Sequence, residues 1–172
     1  MKDYEKAVRA FADGKENFQF TNKGKKHASI VIANLLRTSK SECRIYSGKL
    51  NSDVTNDSFL VKALNEFLES DKQLYLMLDE MPDNKSEALK QILNATKNKK
   101  RNVSVKIDSE GVFSKQIAPV FEDNVSHHFI VSDSLSYRFE IDAHEFKAIC
   151  NFNDPNTSNI LKTAFDTYFF SK

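Results

Sequence analysis

HHFIVSD, residues 127–133, is the most informative segment of this chain. Its central Phe-Ile-Val run is short and apolar, as is typical of a buried strand. Asp133 and Ser134 follow directly and are turn formers, and residues 136–139 form a second extended segment. We therefore predict two adjacent strands joined near Asp133, with a pair of histidines at the start of the first strand.

Helical and extended patterns alternate through the middle of the chain. Apolar residues at helical spacing predict helices over residues 2–12, 27–38, 59–68, 86–98 and 155–170. Apolar or alternating runs predict further strands over residues 43–47, 73–78 and 103–107. This order predicts an α/β fold in which a mixed, largely parallel sheet is covered by helices on both faces. We expect residues 1–26 to form an N-terminal helix and a polar loop, and residues 27–172 to form the main domain.

The composition bounds the class of protein. With 28% charged and 40% hydrophobic residues, the 172-residue chain resembles an ordinary globular domain with one core. Its formal net charge is only +1, whereas a dedicated nucleic-acid binder has a strongly basic surface. Basic residues cluster within residues 23–26 and 97–101, and such clusters are usually solvated. The charge therefore gives no support for nucleic acid as a partner.

The cysteines and the N-terminus indicate the compartment. Cys43 and Cys150 lie far apart in the sequence, without the spacing of a metal knuckle or a redox pair, so we expect free thiols in a reducing cytosol. The N-terminus is charged, and no apolar run suggests a signal peptide or a membrane span. We expect a soluble, cytoplasmic protein without membrane association. The histidines show no ligand spacing and no nucleotide-binding fingerprint occurs, so neither a metal nor a cofactor is expected.

The order of the elements, the strand that ends in Asp133 and the Asn-bearing segment at residues 148–152 make the chain resemble a single phospholipase D-like domain over residues 28–170. Members of that family carry His, any residue, Lys, four residues and Asp, and then a Gly-Ser-any-Asn segment. The resemblance implies that the His attacks a phosphodiester, that Lys and Asn hold phosphate oxygens, and that a second His from another copy protonates the leaving group.

The family motif is only partly kept in this chain. When the family Asp is aligned with Asp133, Ser126 stands at the nucleophile position and His128 at the lysine position. Asn151 matches the downstream Asn, although its interval from Asp133 is longer than the family norm. A bulge could bring His127 or His128 forward in register, but no lysine follows two residues after either histidine. Because phosphoryl transfer needs a nucleophile and positive charge directed at the oxygens, ordinary family catalysis is not expected.

Each of these residues also has a structural interpretation. The histidine pair could be a hydrogen-bonded feature of a strand start, and Asp133 a turn former. Asn151 and Asn153 could serve the start of the C-terminal helix, for which Asp154 is the natural N-cap. Acidic residues after the strand at 73–78, beginning with Asp79 and Glu80, lie where open sheets place ligand groups but could equally cap a helix.

We therefore hypothesise a catalytically impaired phospholipase D-like domain that acts as a binding or assembly module for a phosphate-bearing ligand or a partner protein. The remnant site would comprise His127, His128, Asp133 and Asn151, with ligand contacts from the residues Ser126, Arg138 and Asn153. The alternative is an active, metal-independent phosphodiesterase or nuclease that uses His127 or His128 in an altered register. A third alternative is a subunit of a larger assembly whose activity resides elsewhere.

The aromatic residues of the C-terminal helix suggest a partner subunit. Phe165, Tyr168, Phe169 and Phe170 nearly follow one another, and they cannot all face one core. A single-copy domain of the family commonly pairs across a twofold axis to complete one site. We therefore expect a homodimer.

Overall fold

The structure, a computed structural model, describes residues 1–14, 16–80, 85–98, 102–108, 110–117 and 127–171. The helices are α1 (Lys2–Gly14), α2 (Lys25–Thr38), α3 (Ser52–Thr55), α4 (Ser58–Glu69), α5 (Glu87–Lys97), α6 (Val112–Ile117) and α7 (Pro155–Phe169). The strands are β1 (Phe20–Asn22), β2 (Glu42–Ser47), β3 (Gln73–Leu78), β4 (Val103–Ile107), β5 (Phe129–Ser132), β6 (Ser136–Asp142) and β7 (Lys147–Asn151).

The helices and strands predicted from the sequence are present, with small shifts at their ends. Four further elements, β1, β7, α3 and α6, were not predicted. β1 has three residues and α3 has four, which is too short for a periodic pattern to be recognised. β1 and β7 pair with each other, Phe20 opposite Cys150, so this part of the sheet is specified by tertiary contact and not by a local signal.

The described strands form one mixed sheet in the order β1-β7-β6-β5-β2-β3-β4. β3 pairs in parallel with both β2 and β4, whereas the other four pairings are antiparallel. The predicted mixed sheet is thus confirmed, but its parallel part is smaller than predicted. The reason is that β5, β6 and β7 follow one another through tight turns, which makes consecutive strands antiparallel.

Helices cover both faces of this sheet, as predicted. On one face, which we call the α2 face, residues of α1, α2, α4 and α5 share one hydrophobic core with Ile45 and Leu76. On the other, which we call the α7 face, Phe113 of α6 and Phe165 of α7 pack against Phe129. In addition, α1 packs against α2, and β1 extends the sheet beside β7. The division of the chain at residue 26 stays a prediction.

Among the described residues, no helix combines the length and the apolarity that crossing a bilayer requires.

Three residues, Asp133, Ser134 and Leu135, connect β5 to β6, and the first two are the central residues of a tight turn. The amide of Leu135 donates to the carbonyl of Ser132 at 3.0 Å, and the intervening Asp133 and Ser134 have φ angles of 54° and 55°. Two central residues with positive φ are the mark of a type I′ turn, whose twist matches that of the flanking strands. The turn fixes the register of the hairpin, and the register decides which side chains share a face.

The positive φ at Ser134 leads to a first prediction. Replacement of Ser134 by glycine should stabilise the protein by about 0.5–1 kcal/mol, because glycine adopts this backbone conformation without steric cost. Urea unfolding at pH 7 measures the effect. Ser136→Gly, which places the same residue inside β6, is the matched control and should destabilise the protein. A loss of stability in Ser134→Gly would contradict the turn assignment.

Candidate functional site

The histidine pair lies where the parallel strands end. β2 and β3 pair in parallel up to Ser47 and Leu78, and β5 runs antiparallel to β2 with Phe129 opposite Tyr46. His128, one residue before β5, therefore lies beside the carboxyl end of β2. Open α/β sheets place ligand groups at this edge, which we call the carboxyl edge.

Two carboxylates flank the imidazole of His128. Its Nδ1 atom lies 3.1 Å from Oε1 of Glu140 on β6. Its Nε2 atom lies 3.7 Å from Oδ2 of Asp79, the residue after β3. Glu140 in turn accepts hydrogen bonds from both terminal nitrogens of Arg138, each at 3.2 Å from Oε2. We call His128, Glu140, Asp79 and Arg138 the charged tetrad.

The carboxylates decide the protonation state of His128. Burial by itself would lower the pKa of this imidazole, but Asp79 and Glu140 outweigh burial and raise the pKa to about 9. Burial likewise disfavours the ionised form of Glu140, yet His128 and Arg138 outweigh it and lower the pKa of Glu140. At pH 7 His128 is therefore an imidazolium with a proton on each nitrogen. Two cations then face two carboxylates, and the tetrad carries no net charge.

Arg138 is anchored beneath Glu140. Its Nε atom donates to Oδ1 of Asn22 at 3.1 Å, and Nη2 donates to the carbonyl of Phe146 at 3.2 Å. Together with the two bonds to Glu140, these contacts direct the guanidinium at protein groups, and only 5% of Arg138 is exposed. The contacts fit a residue that orients Glu140, so a ligand would meet Glu140 and His128 before the guanidinium of Arg138.

Gly48 lets the chain pass close to the imidazole. A Cβ atom at this position would lie 3.3 Å from Nε2 of His128, tighter than ordinary van der Waals contact. Residues 47–48 also accept hydrogen bonds from the amides of Asp79 and Glu80, so the loops after β2 and β3 are joined at this point. The absent side chain of Gly48 keeps space at Nε2.

A pocket of about 90 Å³ adjoins the charged tetrad. His128, Arg138 and Glu140 form one polar side, Ser47, Asn51 and Thr55 add further polar groups, and apolar residues supply most of the remaining wall. The apolar lining includes Ala28, Ile32, Ile45, Leu50, Val54 and Phe146. A space of this size holds about three water molecules or one small chemical group.

His127 belongs to the other face of the sheet. Its Nδ1 atom lies 2.8 Å from the backbone carbonyl of Glu140, and its ring packs 4.7 Å from the ring of Phe139. Successive residues of an extended chain point to opposite faces, so His127 points to the α7 face and His128 to the α2 face. The structure therefore does not bring the two histidines into one pocket.

Asp133 lies at the opposite end of β5 from His128. Its carboxylate accepts hydrogen bonds from the amides of Lys40, Ser41 and Glu42 at 2.5, 2.9 and 3.0 Å, and from the Ser41 hydroxyl at 2.9 Å. Burial would raise the pKa of Asp133, but these backbone bonds outweigh it and lower the pKa. Asp133 thus ties the β5–β6 turn to the start of β2, a structural role within the sheet.

Asn151 and Asn153 are also separated from His128. Asn151 pairs with Tyr137 in the sheet, its Nδ2 donates to Asn17 at 2.8 Å, and its Oδ1 accepts from the amide of Asn153 at 2.9 Å. By register Asn151 faces the α7 side, opposite to His128. Asp154 then caps α7 as predicted, since its carboxylate accepts from the first free amides of that helix.

Of the expected site residues, the structure brings together His128 and Arg138. His127, Asp133, Asn151 and Asn153 lie elsewhere, and Ser126 lies outside the described residues. Glu140 was not predicted. The observed register of the hairpin pairs residues whose numbers sum to 268, as in Ser132 with Ser136, and it brings His128 beside Glu140. A two-residue turn at Asp133 and Ser134 would instead pair residues whose numbers sum to 267, so the local sequence does not by itself place Glu140 beside His128.

The basic cluster at the start of α2 is balanced by acids. Lys23 pairs with Glu145, Lys25 with Asp53 and Lys26 with Asp57. These contacts neutralise the lysines next to the pocket, so this cluster forms no basic patch. Most of the second cluster, residues 99–101, lies outside the described residues.

Comparisons with known proteins identify the fold. No protein-family model matches the chain, and no curated protein matches it. Its structure is similar to that of Nuc, a phospholipase D family member from Salmonella typhimurium, with a TM-score of 0.55, 14% identity, and coverage of 88% of this chain and 93% of that chain. It is also similar to TrmBL2, an archaeal chromatin protein whose structure is described as showing a novel mode of DNA binding, with a TM-score of 0.56 and 13% identity. That match covers 97% of this chain, which spans 59% of the archaeal chain. The chain thus has a phospholipase D-like fold.

Proposed function

We propose that this phospholipase D-like fold is catalytically impaired and serves as a binding module built around the pocket at the carboxyl edge. The observation that carries the proposal is the environment of His128, in which a carboxylate faces each ring nitrogen. A nucleophilic imidazole must offer a lone pair to phosphorus, and an imidazolium has none. At neutral pH this histidine is suited to donating hydrogen bonds and not to attack.

The charges around His128 support the same conclusion. Cleavage of a phosphodiester requires positive charge directed at the oxygens on which negative charge develops. In the charged tetrad the carboxylate of Glu140 already occupies the cationic groups of both His128 and Arg138. A phosphate entering the pocket would meet the carboxylate of Glu140, and Asp133 and Asn151 contact other parts of the chain.

A turnover assay tests the proposal. The purified protein is incubated with single-stranded DNA, double-stranded DNA, RNA and bis(p-nitrophenyl) phosphate, in the presence of a chelator. We expect the wild-type protein and His128→Ala to give the same background rate, because His128 performs no chemical step. His144→Ala, which changes a histidine in the exposed turn before β7, is the matched control for loss of an imidazole. Turnover that is retained in His144→Ala but abolished in His128→Ala would overturn the proposal in favour of an active phosphodiesterase.

We further propose that the module is a homodimer, with Phe170 at the subunit contact. Of the four C-terminal aromatic residues, Phe165 and Phe169 are buried in the α7 face, and Tyr168 donates to Asp108 at 2.8 Å. Phe170 is 53% exposed and packs against Tyr75, with 5.2 Å between the ring centres. Large exposed aromatic residues are enriched among the anchors of protein interfaces.

Phe170→Ser should weaken self-association at least about tenfold, which corresponds to losing one interface anchor. Size-exclusion chromatography with light scattering over a range of protein concentrations measures the change. Ile160→Ser removes another exposed apolar side chain of α7 and should leave the association unchanged. A wild-type protein that stays monomeric at micromolar concentration would rule the dimer out.

A further inference from the structure

The pocket also indicates what class of ligand the module takes, an inference that rests on the proposed binding function. We propose that it binds a small uncharged molecule in which an oxygen accepts a hydrogen bond from Nε2 of His128 and an apolar body fills the rest of the space. This class covers alcohols and amides and excludes phosphates and other ions.

The shape of the pocket supports an apolar ligand body. The side facing His128 and Glu140 is polar, but most of the remaining wall is aliphatic or aromatic, with Ile32, Ile45 and Val54 among its residues. Ligand pockets commonly combine such a wall with a few polar groups that fix the orientation of the ligand. The volume of about 90 Å³ restricts the buried part to a few carbon atoms.

The charge balance excludes an ion. The tetrad holds two cations and two carboxylates in mutual contact, and the lysines of α2 near the pocket are paired with acids. A charged ligand in this pocket would lose its hydration without gaining an uncompensated counterion. An uncharged ligand does not incur this cost.

The two ring nitrogens of His128 lie at different distances from their carboxylates. This difference indicates that Nε2 is the nitrogen that contacts the ligand. Nδ1 lies at hydrogen-bond distance from Glu140, but Nε2 lies 3.7 Å from Asp79, beyond that distance. Gly48 keeps space at this nitrogen, where a Cβ atom would intrude to 3.3 Å. An oxygen of a ligand can therefore accept the Nε2 proton without breaking a hydrogen bond already formed.

Methyl NMR of the full chain with matched isobutyl compounds tests the inference. Isobutanol and isobutyramide present a neutral oxygen, while isobutyrate, isobutylamine and inorganic phosphate present charges of either sign. We expect the neutral pair to shift the methyl signals of Ile32, Ile45 and Val54, and to leave Ile92 and Ile160 unchanged. The charged compounds should bind at least about tenfold more weakly, as expected for an uncompensated charge.

Two glycine variants test whether the ligand contacts Nε2 of His128 or only packs against the apolar wall. Gly48→Ala should weaken isobutanol binding because its Cβ crowds Nε2, whereas Gly14→Ala, where a Cβ meets its nearest neighbour at 4.0 Å, should not. Equal binding to both variants would overturn the contact with His128.

Tighter binding of phosphate or isobutyrate than of isobutanol would overturn the ligand class while leaving a non-catalytic binding module intact. The absence of a shift with any compound would overturn the inference entirely. Turnover of a phosphodiester is a separate result that would overturn the proposed function itself.

Discussion

Replacement of Asp133 by alanine is expected to destabilise the fold by about 3 kcal/mol, even though the sequence predicted Asp133 to belong to a ligand site. The carboxylate accepts hydrogen bonds from three backbone amides and two hydroxyls at the junction of the β5–β6 turn and β2. Hydrogen bonds to a charged acceptor are worth more than neutral ones, and alanine also tolerates the positive φ of this position poorly. Urea unfolding at pH 7 measures the loss.

Asp133→Asn is the control for this variant. Asparagine retains one acceptor oxygen and tolerates positive φ, so it should lose less stability than alanine. If Asp133 instead served a reaction, both variants would unfold like the wild-type protein. Equal stability of Asp133→Ala and wild type would therefore contradict the structural role.

The pH dependence gives an independent check on Asp133. Its pKa is lowered in the folded protein, so ionisation of this group stabilises the fold above the unfolded pKa of about 3.9. That contribution disappears as the pH falls through the lower folded pKa. The difference in unfolding free energy between wild type and Asp133→Asn should accordingly be constant above about pH 5 and shrink in acid.

The second large effect is expected at Glu140, whose replacement by alanine should cost about 3–5 kcal/mol. This carboxylate is the shared partner of Arg138 and His128, and all three side chains are largely buried. Its removal leaves two cations without their nearest counterion in a region of low dielectric. Glu140→Gln keeps the size and one acceptor oxygen but removes the charge, so it separates the electrostatic part from the loss of packing.

The contact between His128 and its carboxylate partners also predicts how the free energy of unfolding changes with pH. The pKa of His128 is raised from about 6.5 in the unfolded chain to about 9 in the folded one, so protonation of His128 stabilises the fold fully below pH 6.5. The contribution is lost as the pH rises from about 6.5 to 9. Wild-type protein should lose stability over this range, and His128→Gln, which cannot titrate, should lose less. An identical slope in the two proteins would contradict the ion pairs of the tetrad.

The sequence was sufficient to predict the architecture, because its long elements carry clear periodicity. The strand at residues 73–78 and the helix opened by Pro155 illustrate this, since a run of apolar residues and an N-terminal proline are both local signals. The proportion of parallel strands was harder to predict. It depends on how β5, β6 and β7 return along the sheet, which is a matter of turns and long-range pairing.

Only part of the candidate site was predicted, because its arrangement also depends on long-range strand pairing. Aligning a linear motif placed His127, His128, Asp133 and Asn151 in one group, but a strand alternates between two faces and has two ends. His127 consequently points away from the pocket, and Asp133 lies at the far end of β5. Asp79 and Glu140 join His128 through neighbouring strands, a relationship that only strand order and register define.

The proposed function depends on the protonation state of His128, which a titration of its ring by ¹H–¹⁵N NMR measures. With His128→Gln used to assign the signals, we predict that both ring nitrogens are protonated at pH 7 and titrate together with a pKa of about 9. A neutral imidazole at pH 7, with one unprotonated nitrogen and a pKa at or below 6.5, would provide the lone pair that nucleophilic attack needs and would contradict the account.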